Sequence, residues 1–264
     1  MLVAAAVCPC PPLLVPEVAA GAAPELDAAR TACADALSVL AASRPDRLIV
    51  VGPTGPGEAG PYPEGAQGSL KGFGVDTDVR LGEPGADVRL GEPGADVRLG
   101  EPGADVRLGE PGAEPSAPPL PSALTVAAWL LERARWAAAP VEGLGVDRRL
   151  APERCAETGR ELAARAPRVA FLVMGDGSAC RTLKAPGYLD ERAAAFDAAA
   201  ARALGAADTA ALMALDVSLA DELKAAGRAP WQVLAGAAEG AEPGGQLLYE
   251  DAPYGVGYFV AAWS

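Results

Sequence analysis

The chain has 264 residues, half of them hydrophobic and only 5% aromatic, with 35 acidic against 22 basic side chains and no histidine. A net charge of −13 argues against the concentrated basic surface that nucleic acid or an anionic membrane requires. The missing imidazole excludes a Ser-His-Asp relay, a Cys-His pair, a His-ligated zinc and the two-His, one-carboxylate iron site.

The apolar start, MLVAAAVC, lacks a basic flank and runs into CPCPP, so no secretory leader is expected, and no apolar run reaches membrane-spanning length. Leu2 to Val7 reads as a strand buried on both faces, ended at once by Pro9, Pro11 and Pro12. Pro24 suits a first helical turn, and Glu25 to Ser43 follows at helical spacing. Arg47 to Gly52 (RLIVVG) is a second buried strand, giving the strand-helix-strand order of a sheet covered on both sides.

The middle of the chain repeats. Residues 77–85 read TDVRLGEPG, and 86–94, 95–103 and 104–112 each read ADVRLGEPG. One valine and one leucine per unit offer too little apolar area to offset ordering entropy, so 77–112 is expected to be a disordered loop inserted into a domain spanning 1–264. A small β-solenoid is the alternative, disfavoured because no unit carries the stripe a stacked core needs. Glu114 to Pro121 closes the insertion.

Ser122 is placed to cap a helix through LTVAAWLLERARWAA. Val141 to Val146 is a glycine-interrupted strand, Pro152 opens a helix to Ala166, and Arg168 to Met174 is a third buried strand. Helices are expected over Asp190 to Leu204, over Leu215 to Ala226 and from Pro230, with closing strands at Leu247 to Tyr249 and Val256 to Ala261. The pattern is α/β: one three-layer domain on a mostly parallel or mixed sheet.

Four loops leave strand ends: CPCPP, GPTGPGEAG, GDGSACRTLKAPGYLD and YEDAPYGVGYFVA. Strand ends are where open α/β sheets bind ligands. In the third loop Asp176, Ser178, Arg181 and Lys184 offer a polar lining suited to an acidic small molecule. The plainer reading has Asp176 and Ser178 bracing the turn while Arg181 and Lys184 face solvent. Tyr249, Tyr254, Tyr258 and Phe259 read as core and pocket wall. Cys8, Cys10, Cys33, Cys155 and Cys180 are too few and scattered for a disulfide scaffold. They suit a reducing, cytoplasmic setting and read first as structural.

Together these loops resemble the class III extradiol ring-cleavage dioxygenases, in the B-subunit (LigB-like) branch that includes Memo-type proteins, and an actinobacterial subgroup of it in particular. The resemblance implies a non-haem ferrous iron held by two histidines and a glutamate, a further acid/base histidine, and a homodimer or partner subunit. It places Cys10 and Thr54 where the first two loops of the family carry histidine, and Ala179 where the third does. Asp251, with Glu250 one step earlier, stands at the family's carboxylate, followed by Ala252, Pro253, Tyr254 and Gly255.

Threonine is a poor iron ligand and alanine cannot move a proton, so ring cleavage and an iron cofactor are not expected. The expectation is a scaffold that binds a small acidic or aromatic molecule at Cys10, Thr54, Asp176, Ser178, Ala179, Cys180, Lys184, Glu250, Asp251 and Tyr254. The alternative is an active enzyme, an aromatic-ring oxidoreductase or other, rebuilt around Cys10, Asp176 and Asp251. A zinc held by Cys10, Cys180 and Asp251 or Glu250 is a weaker variant of it.

Overall fold

A computed structural model of the chain describes residues 1–55, 57–82 and 118–264. Strand β1 (Leu2–Cys8) leads to α1 (Pro16–Ala19) and α2 (Asp27–Ala42), then β2 (Arg47–Thr54), β3 (Gly60–Tyr62), β4 (Gln67–Ser69) and β5 (Asp78–Arg80). The later elements are α3 (Ser122–Arg133), β6 (Val141–Asp147), α4 (Pro152–Ala163), β7 (Val169–Met174), α5 (Ala193–Ala206) and α6 (Thr209–Met213). They end with α7 (Val217–Glu222), α8 (Arg228–Ala237), β8 (Gly245–Asp251) and β9 (Tyr258–Trp263).

Seven strands form one mixed sheet in the order β3-β6-β2-β7-β1-β9-β8, the three-layer α/β arrangement expected from the sequence. β6, β2, β7 and β1 run parallel, while β3 and β9 are antiparallel to their neighbours. The central strands are continuous apolar strings because both faces are covered. In β7, Val169, Phe171 and Val173 point to one core, and Ala170, Leu172 and Met174 to the other. β9 divides likewise, with Phe259, Ala261 and Trp263 opposite Val260 and Ala262. Helices α4 to α8 cover the first face, and α2, α3 and the β4–β5 hairpin cover the second.

Several local expectations need correction. Pro24 lies in a 3-10 segment (Ala20–Leu26), and the helix proper begins at Asp27. Ser122 is the first residue of α3 rather than its cap; Pro121 holds that position and makes no side-chain capping bond. The helix expected to reach Ala226 stops at Glu222, where Lys224 turns into left-handed backbone (φ 56°).

The first repeat unit also departs from the loop expected of it. Asp78–Arg80 pairs with Gln67–Ser69, and Val79 and Leu81 are buried against α3 and β6. The three following units, and Glu114 to Ala117 of the closing stretch, lie outside the described residues.

Candidate functional site

The parallel strands bring their carboxyl ends to one edge of the sheet, and β9 starts there. Three adjacent strands supply the centre of this edge. β7 ends at Met174 and delivers Asp176; β1 beside it ends at Cys8 and delivers Cys10; β2 on the other side ends in Thr54. The Cys10 amide donates to Asp176 Oδ1 at 2.8 Å, joining the first and third loops directly. The Thr54 hydroxyl is buried, and its oxygen has no partner among the described residues. The same is true of the Tyr254 hydroxyl and the Trp231 indole nitrogen.

Asp176 keeps a partial opening to solvent. The protein packed around it still pushes its carboxyl up to about 6, against which the Cys10 hydrogen bonds act only partly. Burial, followed by the Asp176 charge and a hydrogen bond to it, holds the Cys10 thiol well above its ordinary range; Arg148 opposes this weakly. Cys10 is therefore a neutral thiol, neither a nucleophile nor a ready metal ligand. Tyr258 completes the group, its phenol raised by burial and then by Asp176 and Cys10.

The glycines flanking Asp176 serve the protein's own packing. A Cβ on Gly175 would meet Gly227 Cα at 2.4 Å, and one on Gly177 would meet Asp197 Oδ1 at 2.7 Å. Asp197, fully buried on α5, accepts from the Ser178 amide (2.7 Å) and hydroxyl (2.8 Å) and pairs with Arg181 at 3.0 Å. Ser178 is thus a brace of the turn, as the plainer reading had it, and Arg181 is engaged by Asp197. Lys184 is exposed.

Not all of the expected residues gather. Cys180 belongs to the core on the opposite face from Cys10, and its thiol donates to the Leu223 carbonyl at 3.5 Å. Ala179 is fixed by its backbone to Leu223 and Gly187. Glu250 and Asp251 are exposed at the end of β8 and line a separate hollow of about 420 Å³ with Arg181, Thr182 and Ala252. Cys8 faces Cys33 on α2; a hydrogen bond between them, then burial, push its thiol well up.

The iron implied by the family resemblance does not fit these residues. Among the described residues no group of three Cys, Asp or Glu side chains could hold a metal ion. The set of Cys10, Cys180 and Asp251 or Glu250 considered for zinc is split, the two cysteines lying in different cores and the carboxylates in an exposed hollow.

Sequence reasoning missed a cationic hollow at the same edge. Arg148, Arg149, Ala220, Asp221, Lys224 and Ala225 enclose about 280 Å³ between the end of β6 and α7. It lies beside the end of β2, where Thr54 pairs with Asp147, the residue before Arg148. A larger hollow of about 680 Å³, between Arg80, Leu131 and Trp136, lies away from this edge and borders Gly82, where the described residues break off.

No family model and no curated protein matches the chain. Among solved structures it is similar to the crystal structure of an uncharacterised protein, JW3007, from Escherichia coli K12. The two share 16% identity over 99% of each chain, with a TM-score of 0.52. At that identity the likeness concerns the fold: a single α/β domain on a mixed central sheet. No helix among the described residues is long and apolar enough to cross a membrane.

Proposed function

We propose that the protein is an extradiol-dioxygenase-like (LigB-like) scaffold without ring-cleavage activity, which binds a small acidic or aromatic molecule at the carboxyl edge of its sheet. The observation that carries this reading is the contact of Cys10 with Asp176 beside Tyr258, with Thr54 at the end of the neighbouring strand. Asp176 is the polar anchor, with one oxygen held by the Cys10 amide and a partial opening to solvent through which a ligand hydroxyl can donate. Thr54 supplies a hydroxyl that the protein leaves unpaired among its described residues, and such a group gains most from a ligand partner. Five free cysteines support a reducing, cytoplasmic setting.

An enzyme rebuilt around Cys10, Asp176 and Asp251 is the competing reading. Its one supporting observation is the Cys10–Asp176 contact. A neutral thiol and the placement of Asp251 in another hollow weigh against it.

Calorimetric titration with catechol tests the reading. Asp176→Ala, checked for folding by circular dichroism, is expected to weaken binding about tenfold or more, the worth of one charge-assisted hydrogen bond. Equal affinity for the two proteins would remove Asp176, and the edge with it, from the account.

A further inference from the structure

We infer that the hollow between β6 and α7 is an anion subsite, which takes the carboxylate or phosphate group of the molecule bound at the sheet edge. The inference rests on the reading of that edge as a small-molecule site, and it names the chemistry of the ligand's far end.

The protein carries a net charge of −13, yet positive groups dominate this hollow. Arg149 is neutralised: its guanidinium forks onto Asp221 at 2.9 and 3.1 Å. Arg148 and Lys224 are exposed, and neither has a carboxylate partner among the described residues. The Lys224 ammonium donates only to the Pro186 carbonyl, at 3.3 Å. Its backbone stands in the left-handed region (φ 56°), which places it just past the end of α7.

A third cation lies beneath them. Arg228, at the start of α8, is wholly buried and has no carboxylate within ion-pair distance among the described residues. It donates instead to the Leu150 carbonyl (2.6 Å), the Gln232 amide oxygen (2.8 Å) and the Arg148 carbonyl, while its Nε has no partner. Arg228 therefore clamps the very loop that presents Arg148. Asp147 and Asp216 act on Arg228 through space, while their side chains accept from the backbone amides of Arg149 and Leu219 and make no direct ion pair with it. Cys155 beside Arg228 is a neutral thiol, pushed up to about 11 chiefly by burial.

A buried guanidinium without a carboxylate in direct contact is costly, and its field is weakly screened. An arriving anion would add favourable charge above it, with Arg148 and Lys224 as direct donors. At about 280 Å³ the space suits one anionic group, below the usual range for a whole ligand. Thr54, at the end of β2, pairs with Asp147, the residue before Arg148, so the hollow lies next to the proposed site along the same edge.

The test titrates the full chain with inorganic phosphate, catechol and 3,4-dihydroxybenzoate, which differs from catechol by one carboxylate. The double variant Arg148→Ala/Lys224→Ala is expected to weaken phosphate and 3,4-dihydroxybenzoate about tenfold or more and to leave catechol unchanged. Asp221→Asn frees Arg149 and is expected to tighten both anions several-fold, a gain that misfolding cannot imitate. Added salt should weaken the anions and spare catechol. Anion binding that ignores both variants, or no phosphate binding at all, overturns the subsite. Phosphate binding that depends on Arg148 and Lys224, without any catechol binding, supports the subsite and removes the aromatic reading of the edge. Catechol and 3,4-dihydroxybenzoate bound equally, with no competition from phosphate, does the reverse.

Discussion

Asp176 is where the proposed function and the stability of the molecule meet. Its carboxyl is pushed up to about 6, above its ordinary value, so the folded chain holds this proton more firmly than the unfolded chain does. A group of this kind contributes stability below the unfolded value, near about pH 4, and loses it as pH rises through about 6. Asp176→Asn keeps an oxygen for the Cys10 amide and removes the charge. It is expected to stabilise the protein by about 1–2 kcal/mol at about pH 7, less than full linkage because solvent reaches the group, and to be neutral at about pH 4. Urea unfolding at the two pH values reads this directly, and a constant difference between them would deny the shift. Ser178 behaves differently. Ser178→Ala strips one hydrogen bond from a fully buried carboxylate and is expected to cost about 1–3 kcal/mol in the same assay. The sequence points to Ser178 but not to its partner. The only signal for Asp197 is a lone carboxylate among alanines on the buried side of a helix, beside Phe196 and Ala200. Arg148, Arg228 and Lys224 carry no signal, because a basic residue in a loop reads as solvated until the fold shows what lies beneath it.

At the scale of elements, the long strands are readable because burial on both faces writes them as unbroken apolar strings, as in VAFLVM and LIVV. β3, β4 and β5 are not. GPY, QGS and DVR are too short, and too rich in glycine, proline and charge, for a period to emerge. DVR becomes a strand through tertiary support: the Arg80 amide donates to Glu132 on α3, and Leu81 bonds to Ala66. Helices α4 and α8 pack with their backbones nearly touching, which their composition does not announce. A Cβ on Gly236 would lie 2.2 Å from the Ala156 carbonyl, and one on Gly159 would lie 2.0 Å from the Val233 carbonyl. Because the obstacle is backbone, Gly236→Ala must move a whole helix. A loss on the order of 1–3 kcal/mol is expected in thermal or urea unfolding, and α8 would shift beneath Arg228 and the cationic hollow. An unchanged midpoint would show that the two helices are less closely seated.

The whole molecule is one α/β domain whose loops converge on one edge, and topology accounts for much of what the sequence conveys about the site. Cys10 and Asp176 come together, and Thr54 ends the next strand of the same edge, because β1, β7 and β2 are adjacent and parallel, an order that no local pattern reveals. A conserved family fold would bring Cys180 beside Cys10 as well. The loop instead crosses the end of the sheet between Asp176 and Cys180, so the two cysteines sit in different cores. The edge holds, among the described residues, no group of three Cys, Asp or Glu side chains able to hold a metal. The most direct measurement is equilibrium dialysis of the purified protein against ferrous iron under nitrogen, followed by oxygen uptake with a panel of catechols. The account predicts no tightly retained stoichiometric iron and a flat oxygen trace. One firmly held iron per chain with catechol-dependent oxygen consumption would contradict it.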